Sequence, residues 1–406
     1  MASNYTSCDL FTHVYTKPET YIGPSDRIPN QRWILDLHKM KMVSQIVDFP
    51  QTCEELFVEI LRNAVENVTR SRRHKVDPGH IEIKVDKHTV SIKNYGVPIP
   101  VEIGDFRQRY RREASISKVE INTAYNVYIP QMIFSQLSTN SSYDQSRELE
   151  IFSGIGIGAK ITNIFSKKFM VIIHDAVHHL KYTQIWNDNM ARRTDPVIED
   201  YFDDISSVQV VYTMDFERFK YSVDEGYAPE IIALLAARAA YYSFLGKTVI
   251  MFNGKELNFG NIREFAALFF ENTETGLIHY EWPISNDGKP TETIKFDNGL
   301  EMSVDATEFP ELEIFALHTP NNGNQISFVN FRETSDGGAH INAIVKALNL
   351  SNTKDFKPNH SLIVNYNVKC PRFSSQSKSM LHSPTPKITI PKDKISAWCK
   401  SSDEKK

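Results

Sequence analysis

Glu54-Glu55-Leu56-Phe57-Val58-Glu59-Ile60-Leu61-Arg62-Asn63-Ala64-Val65-Glu66-Asn67 is the stretch from which the rest of the chain can be read. Leu56, Phe57, Ile60, Leu61, Ala64 and Val68 recur at helical spacing and define an apolar side. Glu59, Asn63 and Asn67 fall at i, i+4 and i+8, so they stack along the opposite side. A carboxylate can take a proton from water, and an amide oxygen can hold magnesium, which in turn holds phosphates. The same residue types also serve on a helix whose polar side simply meets solvent. This stretch alone therefore leaves both readings open.

Working outward, composition bounds the answer. Forty-one per cent of the 406 residues are apolar, enough for a sizeable core in two domains or one large one. The net charge of −4 argues against a chain that binds nucleic acid by overall charge. Two local basic runs, Arg70 to Lys75 and Arg107 to Arg112, leave DNA contact open. Cys8, Cys53, Cys370 and Cys399 are scattered, with no Cys-x-x-Cys pair, which points to a reducing compartment and away from zinc. The polar N-terminus has no signal-peptide core, and the apolar stretch Ile231 to Leu245 is interrupted by Arg238. A soluble, intracellular protein is expected.

The patterning predicts two α+β units. An arm covers 1–25, a first unit 26–246, a second 247–400, and a charged, disordered tail 401–406. In the first unit, strands are expected within 81–93, at 169–174 and at 208–212, with helices near 51–70, 130–140, 159–166 and 228–245. In the second, strands are expected around 248–252, 277–282, 291–296, 312–317, 325–330 and 361–368. A helix is expected at 341–348, and 371–386 reads as a serine- and proline-rich loop.

Two further segments change the weight given to the opening helix. Ser153-Gly154-Ile155-Gly156-Ile157-Gly158-Ala159-Lys160 runs into a helix. Glycines let backbone amides approach an anion closely, and a helix N-terminus favours negative charge. The segment lacks the Gly-Lys-Ser/Thr of a Walker loop and the third glycine of a dinucleotide fingerprint; a tight structural turn would have the same composition. In Ser375-Gln376-Ser377-Lys378, a lysine in a polar loop can reach a phosphate as a point charge, although an exposed serine-rich loop reads the same way.

Taken together, six collinear segments resemble the ATPase region of type IIA DNA topoisomerases of the eukaryotic and large-DNA-virus kind. They are Lys17-Pro18-Glu19-Thr20-Tyr21-Ile22-Gly23, Glu59 to Ala64, Gln136 to Asp144, Gly156 to Ser166, Ile326 to Asn330, and Phe373 to Lys378. The resemblance implies a Bergerat-type (GHKL) ATPase sandwich followed by a ribosomal-S5-like transducer domain. It also implies ATP and Mg²⁺ as ligands, a nucleotide-driven homodimer, and double-stranded DNA as partner of the full enzyme. The place of action it implies is the nucleus or a cytoplasmic viral replication site.

It implies residue roles as well. Glu59 would be the general base, Asn63 the magnesium ligand, and Asn67 part of the nucleotide site. Asn140, Ser141 and Ser142 would lie near ribose and phosphates, and Gly154, Gly156, Gly158, Ala159 and Lys160 would wrap the phosphates. Gln376 and Lys378 would cross from the transducer to the γ-phosphate. Tyr5 would reach the partner's nucleotide.

The chain departs from the family pattern in two places. The segment Asn94-Tyr95-Gly96-Val97-Pro98 puts Tyr95 where the family has the acid or amide that reads adenine, leaving three readings: Tyr95 accepts the hydrogen bond, Asn94 shifts in, or adenine recognition is looser. The glycine loop has Gly154-Ile155 where the family has Arg-Asn. Nothing resembles the family's DNA-cleavage half. A degenerate, non-hydrolysing scaffold and a chaperone or mismatch-repair relative on the same fold are the competing readings.

Overall fold

The computed structural model describes residues 10–106, 125–135, 158–281, 291–295, 301–305, 311–348, 359–374 and 378–403. The chain opens with α1 (Leu10–Thr16) and α2 (Glu19–Ile22), then the antiparallel hairpin of β1 (Asn30–Asp36) and β2 (Lys41–Val47). Helix α3 (Gln51–Arg73) follows Pro50 and ends at His74, before Lys75 at a positive φ of 57°. Next come β3 (Ile81–Val85), β4 (Thr89–Tyr95), β5 (Ile103–Phe106), β6 (Tyr125–Tyr128), α4 (Ile129–Ser135) and α5 (Gly158–Ile164). Strands β7 (Ser166–Asp175), β8 (Leu180–Asn187), β9 (Arg192–Arg193), β10 (Val197–Asp200) and β11 (Ser207–Met214) lead to α6 (Pro229–Gly246). Then follow β12 (Ile250–Phe252), β13 (Lys255–Leu257) and α7 (Ile262–Ala266).

These strands build one nine-stranded sheet in the order β10-β8-β7-β11-β4-β3-β12-β13, with β9 beside β8. All pairings are antiparallel except β12 on β3. The alternation read in the sequence is the alternation of burial: Val90, Ile92 and Asn94 of β4 face the core, whereas Ser91, Lys93 and Tyr95 face the other way. Helix α6 is apolar on nearly every side, and Leu234, Leu235, Ala236, Ala237, Ala239 and Ala240 are all fully buried. Its C-terminus approaches α3 so closely that a Cβ on Gly246 would overlap Val65. Arg72, in the first of the two basic runs, donates to the carbonyls of Gly246 (3.0 Å) and Lys247 (2.6 Å) there.

The second unit contains β14 (Leu277–Glu281), β15 (Thr291–Lys295), β16 (Glu301–Asp305), β17 (Leu312–His318), β18 (Gln325–Val329), β19 (Arg332–Glu333), β20 (Gly337–Gly338), α8 (Ala339–Ala347), β21 (His360–Tyr366), β22 (Arg372–Phe373) and β23 (Met380–Ser383). A C-terminal helix spans Lys392–Asp403. The main sheet runs β14-β17-β21-β18-β19. One face packs under α8 and the C-terminal helix, through Ile314, Val364, Ile344 and Trp398. The other face, with Phe315, Ile326, Phe328 and Ile363, joins the core of the first unit. Tyr241 of α6 lies 5.2 Å from Phe328, ring to ring. The two units therefore share an apolar seam.

Four expectations differ from the structure. The second unit does not begin at 247, because β12 and β13 complete the first sheet. The parallel register of β12 on β3 is a long-range pairing that no local pattern encodes. Part of the expected 1–25 arm is helical and packed on the first unit: Val14 is fully buried, and Tyr15 stacks on Phe165 at 5.8 Å. The segment 371–386 is partly a hairpin, with β22 paired to β23, and the last helix extends to Asp403, into the expected tail. Among the described residues, no helix is long and apolar enough to cross a membrane.

Candidate nucleotide site

Helix α3 carries the expected polar face, but its three members differ in setting. Glu59 is partly buried, Asn63 is exposed and Asn67 is buried. Glu59 Oε1 accepts a hydrogen bond from Arg62 Nη1 at 2.6 Å. Its other oxygen faces Gly158, the first residue of α5, where a Cβ would overlap Oε2 and lie 2.9 Å from Cδ. A side chain at 158 would require this carboxylate to move. Ala159 and Lys160 follow, both buried, and burial lowers the Lys160 ammonium to about 8.

The second unit brings cations to the same carboxylate. Arg332 Nη2 lies 3.7 Å from Glu59 Oε1. Burial on its own would raise the Glu59 carboxyl, but Arg62, Arg332 and Lys378 outweigh it and hold the group below its usual value. Glu59 is therefore ionised at neutral pH, as a proton acceptor must be. For Glu55, one turn earlier, burial prevails and the carboxyl is raised. Burial, then repulsion from Arg332 and Arg62, lowers the Lys378 ammonium.

Lys378 is held by the pairing around it. Ser374 N donates to Met380 O, Asp336 N donates to Ser379 O, and Gly337-Gly338 pair in parallel with Met380-Leu381. Lys378 itself has a positive φ of 56° at the β22–β23 turn.

Two polar networks tie this region together. Arg62 Nε donates to the Tyr242 hydroxyl (3.3 Å), which donates to the carbonyl of Phe331 (2.9 Å). Glu54, also on α3, pairs with Arg32 and Arg238, and Arg238 Nη1 reaches Glu333 Oε2 at 2.7 Å. The β18–β19 hairpin is thus gripped on both sides of Arg332.

The structure separates the remaining predicted residues. Tyr95 is corrected: strand alternation points its ring to the outer face, where its hydroxyl bonds Glu82 and Lys93 sits 4.5 Å above it. Asn94 is the one on the helix-covered face. Asn67 is committed within the protein, donating to Tyr95 O at 3.1 Å and accepting from Arg70. Tyr5, Asn140, Ser141, Ser142, Gly154, Gly156 and Gln376 lie outside the described residues. Among the described residues, no cluster of His, Cys, Asp or Glu could hold a metal ion. The exposed Asn63 amide suits magnesium, which takes few protein ligands when phosphates supply the others. Arg332 went unnoticed in the sequence. Its only signal was its position two residues after the Ile326–Asn330 segment.

No family model matches the chain. DNA topoisomerase 2 of Arabidopsis thaliana is 27% identical over 393 residues, covering 93% of this chain and 24% of that protein. The crystal structure of the ATPase region of Saccharomyces cerevisiae topoisomerase II superposes with a TM-score of 0.78 at 26% identity, covering 100% of this chain and 98% of that one. The chain is a homologue of the ATPase region of topoisomerase II.

The 43K ATPase domain of Thermus thermophilus gyrase B matches the fold, with a TM-score of 0.51 at 16% identity, over 97% of this chain and 88% of that one. This topoisomerase II ATPase-region homologue thus has an α+β fold of the GHKL type. It spans about a quarter of the length of the curated relatives it matches.

Proposed function

We propose that the chain binds and hydrolyses ATP as the dimerisation gate of a type II DNA topoisomerase, coupling nucleotide turnover to passage of one duplex through another. The observation that carries this reading is the convergence on Glu59 of Gly158 from the first unit and of Arg332 and Lys378 from the second. A water poised between Glu59 and the γ-phosphate would lose its proton to the carboxylate as its oxygen attacks phosphorus and ADP leaves. Lys378 places positive charge where the transferred phosphoryl gathers negative charge. Asn63 is the side chain that would hold Mg²⁺, which supplies charge neutralisation at the phosphates. Gln376 would join Lys378 at the γ-phosphate, and Asn94 would read adenine from the helix-covered face.

The resemblance also carries the partner proposals: a second copy of the chain, reached through Tyr5 and the 1–25 arm, and duplex DNA in the longer enzyme. The commitment of Asn67 and the outward turn of Tyr95 favour a second reading, a nucleotide-responsive scaffold that does not hydrolyse. Turnover in Mg·ATP decides between them. Glu59→Gln should keep binding a non-hydrolysable ATP analogue and lose turnover by roughly a hundredfold to ten-thousandfold. Equal turnover in both proteins would remove Glu59 from its role. Sedimentation with and without the analogue tests the gate, which should pass from monomer to dimer.

A further inference from the structure

We propose that Arg332 is a phosphate-binding residue, leaving Glu59 for the terminal phosphate when ATP arrives. This rests on the nucleotide-site reading above and adds a residue to it.

The first argument is charge. Among the described residues, Arg62, Arg332 and Lys378 face two carboxylates, Glu55 and Glu59, in a largely enclosed place. Glu59 Oε1 already has a short bond from Arg62, whose side chain is 6% exposed. Arg332 is 27% exposed and, at 3.7 Å, makes an ion pair but no hydrogen bond with Glu59. It is held more loosely and is more accessible than Arg62. Surplus like charges in a partly desolvated cleft are costly until an anion joins them. Burial first, and then the same crowding by Arg332 and Arg62, depresses the Lys378 ammonium.

The second argument is preorganisation. Arg332 follows a two-residue turn in which Asn330 and Phe331 both have positive φ, 46° and 64°. That turn matches hairpin twist, but a phenylalanine there is strained. It is retained because Phe331 is buried and its carbonyl accepts from Tyr242. Asn330 exchanges two side-chain hydrogen bonds with the backbone of Val368, each 2.8 Å. Glu333 is anchored on Arg238. The guanidinium therefore leaves a braced hairpin, and little conformational freedom remains to be lost when it meets a ligand.

The third argument is chemical. A terminal phosphate offers the planar, bidentate acceptor geometry that a guanidinium matches and that a single carboxylate oxygen at 3.7 Å does not. Gly154 and Ile155 of the glycine loop carry no charge, so they supply none to a phosphate.

The test compares the affinities of the unsubstituted chain, Arg332→Gln and Arg332→Lys for ADP and for a non-hydrolysable ATP analogue, by titration calorimetry with Mg²⁺. Arg332→Gln should weaken the analogue roughly tenfold to a hundredfold and leave ADP unchanged. Arg332→Lys should recover part of the loss, because it keeps the charge without the fork. An unchanged preference between the two nucleotides in Arg332→Gln, with a turnover profile whose acid limb moves to higher pH, would make Arg332 only a counterion of Glu59 and overturn the proposal. Failure of the unsubstituted chain to bind either nucleotide would overturn the underlying reading as well.

Discussion

Replacing Gly158 with alanine should separate binding from turnover. The added Cβ would overlap Glu59 Oε2 and lie 2.9 Å from Cδ and 3.1 Å from Cβ of the same side chain. Carbon atoms pack best at about 3.5–4.0 Å, so the carboxyl carbon has to retreat by roughly 0.6–1.1 Å. It cannot do so without cost, because Oε1 is held at 2.6 Å by the buried Arg62. A displacement of about 1 Å in a reacting group is worth on the order of a hundredfold in rate. The backbone at Gly158 is not in the left-handed region, so alanine is conformationally acceptable there. Overpacking costs roughly 1–3 kcal/mol, and the better helix propensity of alanine offsets up to about 1 kcal/mol. The variant should therefore fold, bind the ATP analogue, and turn over about a hundredfold more slowly. A coupled phosphate-release assay at saturating Mg·ATP, with analogue affinity and thermal unfolding measured in parallel, reads all three. Turnover equal to that of the unsubstituted chain would mean that the Glu59 position is not set by Gly158, and the geometric argument would fail.

Further expectations concern the seam between the units. Arg238→Ala leaves the buried Glu54 with Arg32 alone and frees Glu333, so unfolding should lose roughly 3–5 kcal/mol, read by chemical denaturation. Tyr242→Phe deprives Arg62 Nε and the Phe331 carbonyl of one partner, at about 1–3 kcal/mol; unchanged stability would mean that water replaces the hydroxyl. Burial lowers His340 from its ordinary 6.5 to about 4, and its Nδ1 has no partner among the described residues. The unfolded chain binds the proton more readily, so this contribution is complete above pH 6.5 and is lost as pH falls towards 4. The loss is at most about 3 kcal/mol, and His340→Phe should remove it from the difference between denaturation at neutral pH and at about pH 4.5.

Some of the site was legible without coordinates because its spacing is local. Glu59 and Asn63 share a face through helical periodicity, and the alternation in 81–93 fixed which of its residues look inward. By the same rule, Asn94 lies on the side of Val90 and Ile92 and Tyr95 on the other, so this choice could have been made from the strand pattern. Arg62 stands in the opening helix, yet nothing local says that its guanidinium turns back onto Glu59 at i−3 instead of towards solvent.

The sequence by itself determined the long periodic elements, such as the opening helix, the alternating strands within 81–93 and the helix at 228–245, and the resemblance carried by six ordered segments. These are written in periodicity and in local residue chemistry, which act over a few positions. Tertiary structure alone decided that β12 closes the first sheet, that the second sheet shares its apolar face with α6, and that Arg332 and Lys378 meet Glu59. Arg332 lies far from Glu59 along the chain, and their approach depends on a buried seam formed by side chains such as Tyr241 and Phe328. Burial of that seam is non-directional and is satisfied only by the whole fold, so no short stretch records which charges it brings together.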